Sequence, residues 1–216
     1  MDHHKLHYLR TLISQGEHQQ QDFKYRVQDA NKLARSVSAF ANTDGGRLLI
    51  GVRDDGTLSG VHSEEEIFML EKAAKVSCKP ASDIAFDTIN AEGHTIVIAN
   101  IPKAVRRPVL ALDEHGRRTA YVRIKDENIA ASPIHLEIWK QDRASTVIMT
   151  YSDEEARLIE TLSLNKGETL NRLVRLSGLS RYRVIKSLAR FIRYDIAKII
   201  YEDGRFVFEL ALKPRS

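Results

Sequence analysis

Residues 38 to 61 read Ser-Ala-Phe-Ala-Asn-Thr-Asp-Gly-Gly-Arg-Leu-Leu-Ile-Gly-Val-Arg-Asp-Asp-Gly-Thr-Leu-Ser-Gly-Val. Before and into this run, Leu33, Val37, Phe40 and Ala41 recur at helical spacing, so an amphipathic helix is expected over 29–41, capped by Asp29. Asn42, Asp44, Gly45 and Gly46 tolerate positive φ and let that helix meet a strand over 48–52 with almost no loop. Asp54, Asp55 and Gly56 then form a hairpin into a second strand over 57–61, which sets two carboxylates at a strand end.

Working outward, Leu6, Leu9, Leu12 and Ile13 predict a helix over 3–14. Ser63 is read as the cap of a helix reaching about Val76, with Glu64, Glu65 and Glu66 at its positive end. Residues 83–90 and 94–101 alternate as a hairpin around Ala91-Glu92-Gly93, and another hairpin turns at 113–116. Ser132-Pro133 opens a helix with proline in its first turn. This pattern is a mixed-sheet α+β domain over 1–145, followed by a short extended connection over 144–151.

The last third differs in kind. Ser152 caps a helix over 153–164, residues 170–177 form a second, Gly178 takes a left-handed turn, and Ser180 caps a third. Strands over 197–201 and 206–212 flank a Glu202-Asp203-Gly204 turn. Helix, helix, tight turn, helix and β-hairpin is the order of a winged helix, assigned to 150–216. Residues 1–150 hold 20 basic and 20 acidic side chains, so residues 151–216 carry the entire net charge of +4. Such asymmetry points to a polyanion partner.

On the third helix of that segment, Arg183, Lys186, Arg190 and Arg193 fall within about 80° of one another at 100° per residue. Val184, Ile185, Leu188, Phe191 and Ile192 take the opposite side. A recognition helix uses such a face, with Arg181, Tyr182 and Arg183 nearest the bases. DNA is therefore the expected partner and RNA the alternative. A two-fold-symmetric site further calls for a homodimer. The lone Cys78 permits no internal disulfide and fits a reducing cytoplasm. No run approaches the ~18 apolar residues of a membrane span, and the N-terminus lacks the pattern of a signal peptide. His3, His4 and His7 have no fourth ligand nearby and read as exposed.

The 38–61 run closely resembles the signature of the Schlafen AlbA-like domain. Gly16-Glu17 and Asp22-Phe23-Lys24 are similar to the family's opening acidic motif. Pro80, the apolar strand from Ile96, Arg106-Arg107-Pro108, Tyr121-Val122-Arg123 and Ala130-Ala131-Ser132 resemble later ones. Asp126, where the family more often has Gly, and Asp22, where Glu is commoner, depart from the pattern. The resemblance spans roughly residues 10–143 and implies nucleic-acid binding. Lys24, Arg106, Arg107 and Arg123 are then candidates to meet phosphates.

Vertebrate Schlafen proteins that cut RNA use three carboxylates at matching motif positions. The resemblance thus offers Glu17, Asp22 and Asp54 as catalytic and metal-binding residues for Mg²⁺ or Mn²⁺. The leading expectation is a DNA-binding transcription regulator. Its alternatives are a metal-dependent endoribonuclease and a protein-binding scaffold. No Gly-x4-Gly-Lys-Ser/Thr phosphate loop occurs, so nothing here supports an ATPase.

Overall fold

Helix α2 (Ala30–Asn42) is buried along most of its circumference, because it runs between two sheets. The computed structural model describes residues 3–61, 64–113, 115–143 and 152–211, and the chain divides into two units, 1–130 and 131–216. The Asp29 carboxylate accepts from the Asn31 and Lys32 amides and caps α2. Thr43 to Gly45 join it to β2 (Gly46–Ile50). Gly45 makes the bend at φ +70°. Gly46 serves a different purpose, because a Cβ there would lie 2.4 Å from the Phe40 ring.

In the first unit, β1 (Gln21–Lys24), β2, β5 (His94–Ile101) and β4 (Ala85–Ala91) form one sheet in the order β1-β2-β5-β4. β1 runs parallel to β2, and the other pairs are antiparallel. Successive strand side chains face opposite ways. Leu48, Ile50, Val97 and Ala99 share a core with α2, while Leu49, Ile96 and Ile98 share one with Leu9 and Leu12 of α1 (His3–Ser14). Burial on both faces explains why β2 and β5 read as near-continuous apolar runs. The second sheet, β3 (Cys78–Lys79), β6 (Leu110–Leu112), β7 (Arg118–Ile124) and β8 (Glu127–Ala130), covers the other side of α2. Helix α3 (Glu64–Lys75) adds Leu70 and Ala73 to that core.

The expected strand over 57–61 is a single bridge, Val52 to Leu58. Gly51 at φ +87° turns the chain, and its carbonyl takes both the Ser59 and Gly60 amides, which closes the hairpin on itself. Asn42 is also not a turn residue. It is helical and buried, and its side chain donates to the carbonyls of Val109 and Tyr121 and accepts from the Val109 amide. Ser38 Oγ donates to the same Val109 carbonyl and accepts from the Tyr121 amide. The helix thus supplies hydrogen bonds that β6 and β7 do not make to each other at this point.

The second unit contains α4 (Pro133–Asp142), α5 (Asp153–Leu164), β9 (Glu168–Thr169), α6 (Leu170–Ser177), α7 (Arg181–Arg193), β10 (Ala197–Glu202) and β11 (Arg205–Leu210). A capping box at Ser152, Gly178 at φ +66° and Ser180 as the cap of α7 set the helix ends. The wing turns at Asp203 and Gly204, both at positive φ. β11 also pairs with β9, a two-residue strand too short to leave a periodic signal in sequence. This is the winged-helix order. The helix opened by Ser132-Pro133, expected to end the first domain, is α4, and its Ile134 packs in the core of the second unit with Leu158, Leu188 and Phe191. Expected features at Ser63, Glu114, 144–151 and 212 lie outside the described residues.

Candidate nucleic-acid interface

Two of the three expected acids come together at β1. Asp22 is 4% exposed, with Oδ2 2.7 Å from Lys24 Nζ and Oδ1 3.4 Å from Arg123 Nη2. Glu17 accepts the Phe23 amide at 2.8 Å. Burial, and then a hydrogen bond to Asp22, push its carboxyl up to about 7. Asp54 stands apart, exposed on the turn that the Gly56 amide closes onto the Arg53 carbonyl.

Among the described residues no three His, Cys, Asp or Glu side chains stand together as a metal site, and Asp22 faces Lys24 and Arg123 instead. The His3, His4 and His7 set is no exception.

Arg123, expected to meet phosphate, is 2% exposed. It donates to Asn128 Oδ1 at 3.0 Å and to the Gln21 carbonyl at 3.1 Å, and lies over the Phe40 ring at 4.9 Å. A cation this enclosed is the internal partner of Asp22 and presents nothing to a ligand. Lys24 is half-buried and engaged by the same carboxylate. Arg106 is exposed and Arg107 half-buried in the loop between β5 and β6.

The basic stripe of α7 is present, but it is opposed. Arg183 pairs with Glu154, Lys186 with Glu137 at 2.8 Å, Arg190 with Glu155 and Arg193 with Asp142 at 2.8 Å. The carboxylates come from α4 and α5, which flank the stripe. The bond to Glu137 raises the Lys186 ammonium above its ordinary range. Side-chain exposure falls along the helix, from 61% at Arg183 to 33% at Lys186, 24% at Arg190 and 21% at Arg193. The first turn is therefore the open end, with Arg181 exposed and Tyr182 65% exposed. An open cleft of about 420 Å³ runs along the stripe and is bordered by Gln141, Glu154 and Glu155. No carboxylate within α7 announced this neutralisation. Only the packing of α4 and α5 beside α7 reveals it.

Residues 17–132, more than half of the chain, match the family model Schlafen, AlbA_2. The chain belongs to the Schlafen AlbA_2 family. The AlbA_2 match opens on Glu17, takes in the first unit from there onward and closes on Ser132, at the start of the second. No curated protein matches. Among solved structures, the chain is similar to the DIP2311 protein from Corynebacterium diphtheriae, at 15% identity and a TM-score of 0.49. That likeness covers 94% of this chain and 38% of the other, so the chain spans well under half of that relative. It is also similar to the N-terminal domain of a RecG-related protein from Nitrosomonas europaea, at 20% identity and a TM-score of 0.42. That match covers 68% of this chain and 95% of the other. Among the described residues, no helix is long and apolar enough to cross a membrane.

Proposed function

We propose that this chain binds nucleic acid, that duplex DNA is its partner, and that the first turn of α7 makes the contact. The observation that carries this reading is the exposure gradient along α7. Arg181, Tyr182 and Arg183 are exposed, although Arg181 bonds to Asn171 and Arg183 pairs with Glu154, while the later basic residues are more deeply enclosed by their pairs with α4 and α5. Recognition helices present their N-terminal residues to base edges, so the open end of α7 is the end that matters. Residues 131–216 carry 15 Lys and Arg against 11 Asp and Glu, so the net positive charge lies on this unit. Membership of the AlbA_2 family supports the same class of partner. The specific role proposed is transcription regulation by a homodimer, in which two α7 helices would sit one DNA turn, ~34 Å, apart.

The test is a salt titration of duplex binding with the full chain. Each lost phosphate contact lowers the slope of log K against log salt by about 0.9. Arg181→Ala with Arg183→Ala should reduce affinity and flatten the slope by up to about 1.8. Arg193→Ala, which removes a partner of Asp142, should leave the slope in place. Unchanged duplex binding in the Arg181/Arg183 variant refutes the reading, and tighter binding to RNA than to DNA refutes the choice of partner. Light scattering with and without DNA tests the dimer.

A further inference from the structure

Beyond Lys24, the chain of β1 continues as Tyr25-Arg26. The parallel register sets Lys24 opposite Ile50, and the Gly51 amide donates to the Lys24 carbonyl, so Tyr25 and Arg26 run alongside Gly51 to Arg53. The Arg53 guanidinium lies 4.3 Å from the centroid of the Tyr25 ring, and that of Arg26 lies 5.2 Å from it. Both arginines are exposed, and the ion pairs among the described residues of this unit involve neither.

Their position is set by backbone. The Arg53 amide donates to the Thr57 carbonyl, the Gly56 amide closes the turn, and Gly51 holds the base of the hairpin. Beside them opens a cleft of about 500 Å³ lined by Thr57, Ser59 and His94. Ser59 Oγ is buried there without a hydrogen-bond partner among the described residues. Asp55 also lines this cleft, and the bonds from Thr57, followed by the Arg53 charge, hold its carboxyl below the ordinary carboxylate range.

Two like charges on one ring repel, and each exposed cation–π contact returns only about 0.5–1 kcal/mol. A stacked guanidinium keeps its in-plane N–H donors for a second partner, and their fork matches phosphate oxygens. We propose that Tyr25, Arg26 and Arg53 form a phosphate-binding site, with the Ser59–His94 cleft receiving the sugar or base that carries the phosphate. The phosphate belongs either to a single strand of nucleic acid, which rests on the function proposed above, or to a free nucleotide, which does not.

The experiment titrates the full chain with inorganic phosphate, AMP and a short oligo-dT. It compares wild type, the Arg26→Ala/Arg53→Ala double variant, Tyr25→Ala and the Arg181→Ala/Arg183→Ala variant. The Arg26/Arg53 change should weaken whichever probe binds by about tenfold or more. Circular dichroism should stay native, because both side chains are exposed. Tyr25→Phe should keep binding that Tyr25→Ala weakens. Binding of AMP identifies a nucleotide site, and binding of oligo-dT without AMP identifies a strand site. The proposal is overturned if wild type binds no probe at millimolar concentration, or if the Arg26/Arg53 variant binds as wild type does. Loss of oligo-dT binding in the α7 variant alone overturns this site and leaves the α7 reading standing. Loss in the Arg26/Arg53 variant alone supports this site and tells against α7 as a contact for single strands.

Discussion

Replacing Asn42 by alanine tests the frame that holds the first unit together. Its side chain accepts the Val109 amide at 2.7 Å and donates to the Val109 and Tyr121 carbonyls, each at 2.9 Å. In the variant the Val109 carbonyl keeps Ser38 Oγ, but the Val109 amide is left unpaired in a residue that is 1% exposed. A stranded buried amide costs about 1–3 kcal/mol, and the bond lost at Tyr121 adds about 1, so the expected destabilisation is roughly 2–4 kcal/mol. Urea denaturation followed by far-ultraviolet circular dichroism should show the midpoint falling by about 1–2 M at an ordinary slope. The lone tryptophan, Trp139, lies in the second unit and serves as an internal reference. Asn42→Asp should be worse than alanine at neutral pH, because a carboxylate would face two carbonyl oxygens. Its folded pKa would rise above the unfolded value of about 3.9, so stability would be kept below that pH and lost as pH rises. A destabilisation under about 0.5 kcal/mol for Asn42→Ala would refute the reasoning, since it would mean that the Val109 amide had another partner.

Glu17 has its carboxyl raised to about 7 by burial and by Asp22, so it contributes stability at low pH that is lost as pH rises from about 4.5 through 7. Glu17→Gln should flatten that part of the stability–pH curve, as read by thermal denaturation across the range. Arg123→Met leaves the buried Asp22 with Lys24 alone and should cost about 3–5 kcal/mol, with Asp22→Asn in the same chain restoring part of the loss. Full stability in the single variant would show that Asp22 takes up a proton at no cost.

Local chemistry made the second unit legible almost residue by residue. Ser152, Gly178 and Ser180 act at helix ends, where a side-chain cap or a left-handed residue has few alternatives. The AlbA_2 signature was legible for the same reason, through Gly45 and Gly56. What was not legible is pairing across the chain. Asn42 looks like a turn residue because its partners lie at 109 and 121. Arg123 looks like a phosphate ligand because Asp22 is a hundred positions away. The α7 stripe looks unopposed because Glu137, Asp142, Glu154 and Glu155 belong to other helices. Arg26 and Arg53 carry no signal singly, and only the parallel register of β1 and β2 brings them to one tyrosine.

The position of α2 between two sheets also decides when the first unit can form during synthesis. Ser38 and Asn42 bond to residues 67 to 83 positions downstream. At about 5–20 residues per second, the helix leaves the ribosome roughly 4–16 seconds before its last partners do. Over that interval its apolar sides have only α3 and the strands of the first sheet, as these emerge, to cover them, and its polar side chains bond to water. A nascent chain stalled between β2 and β7 is thus the state in which this protein is most open to aggregation and to chaperone capture. Completion of β7 is the event that ends that exposure.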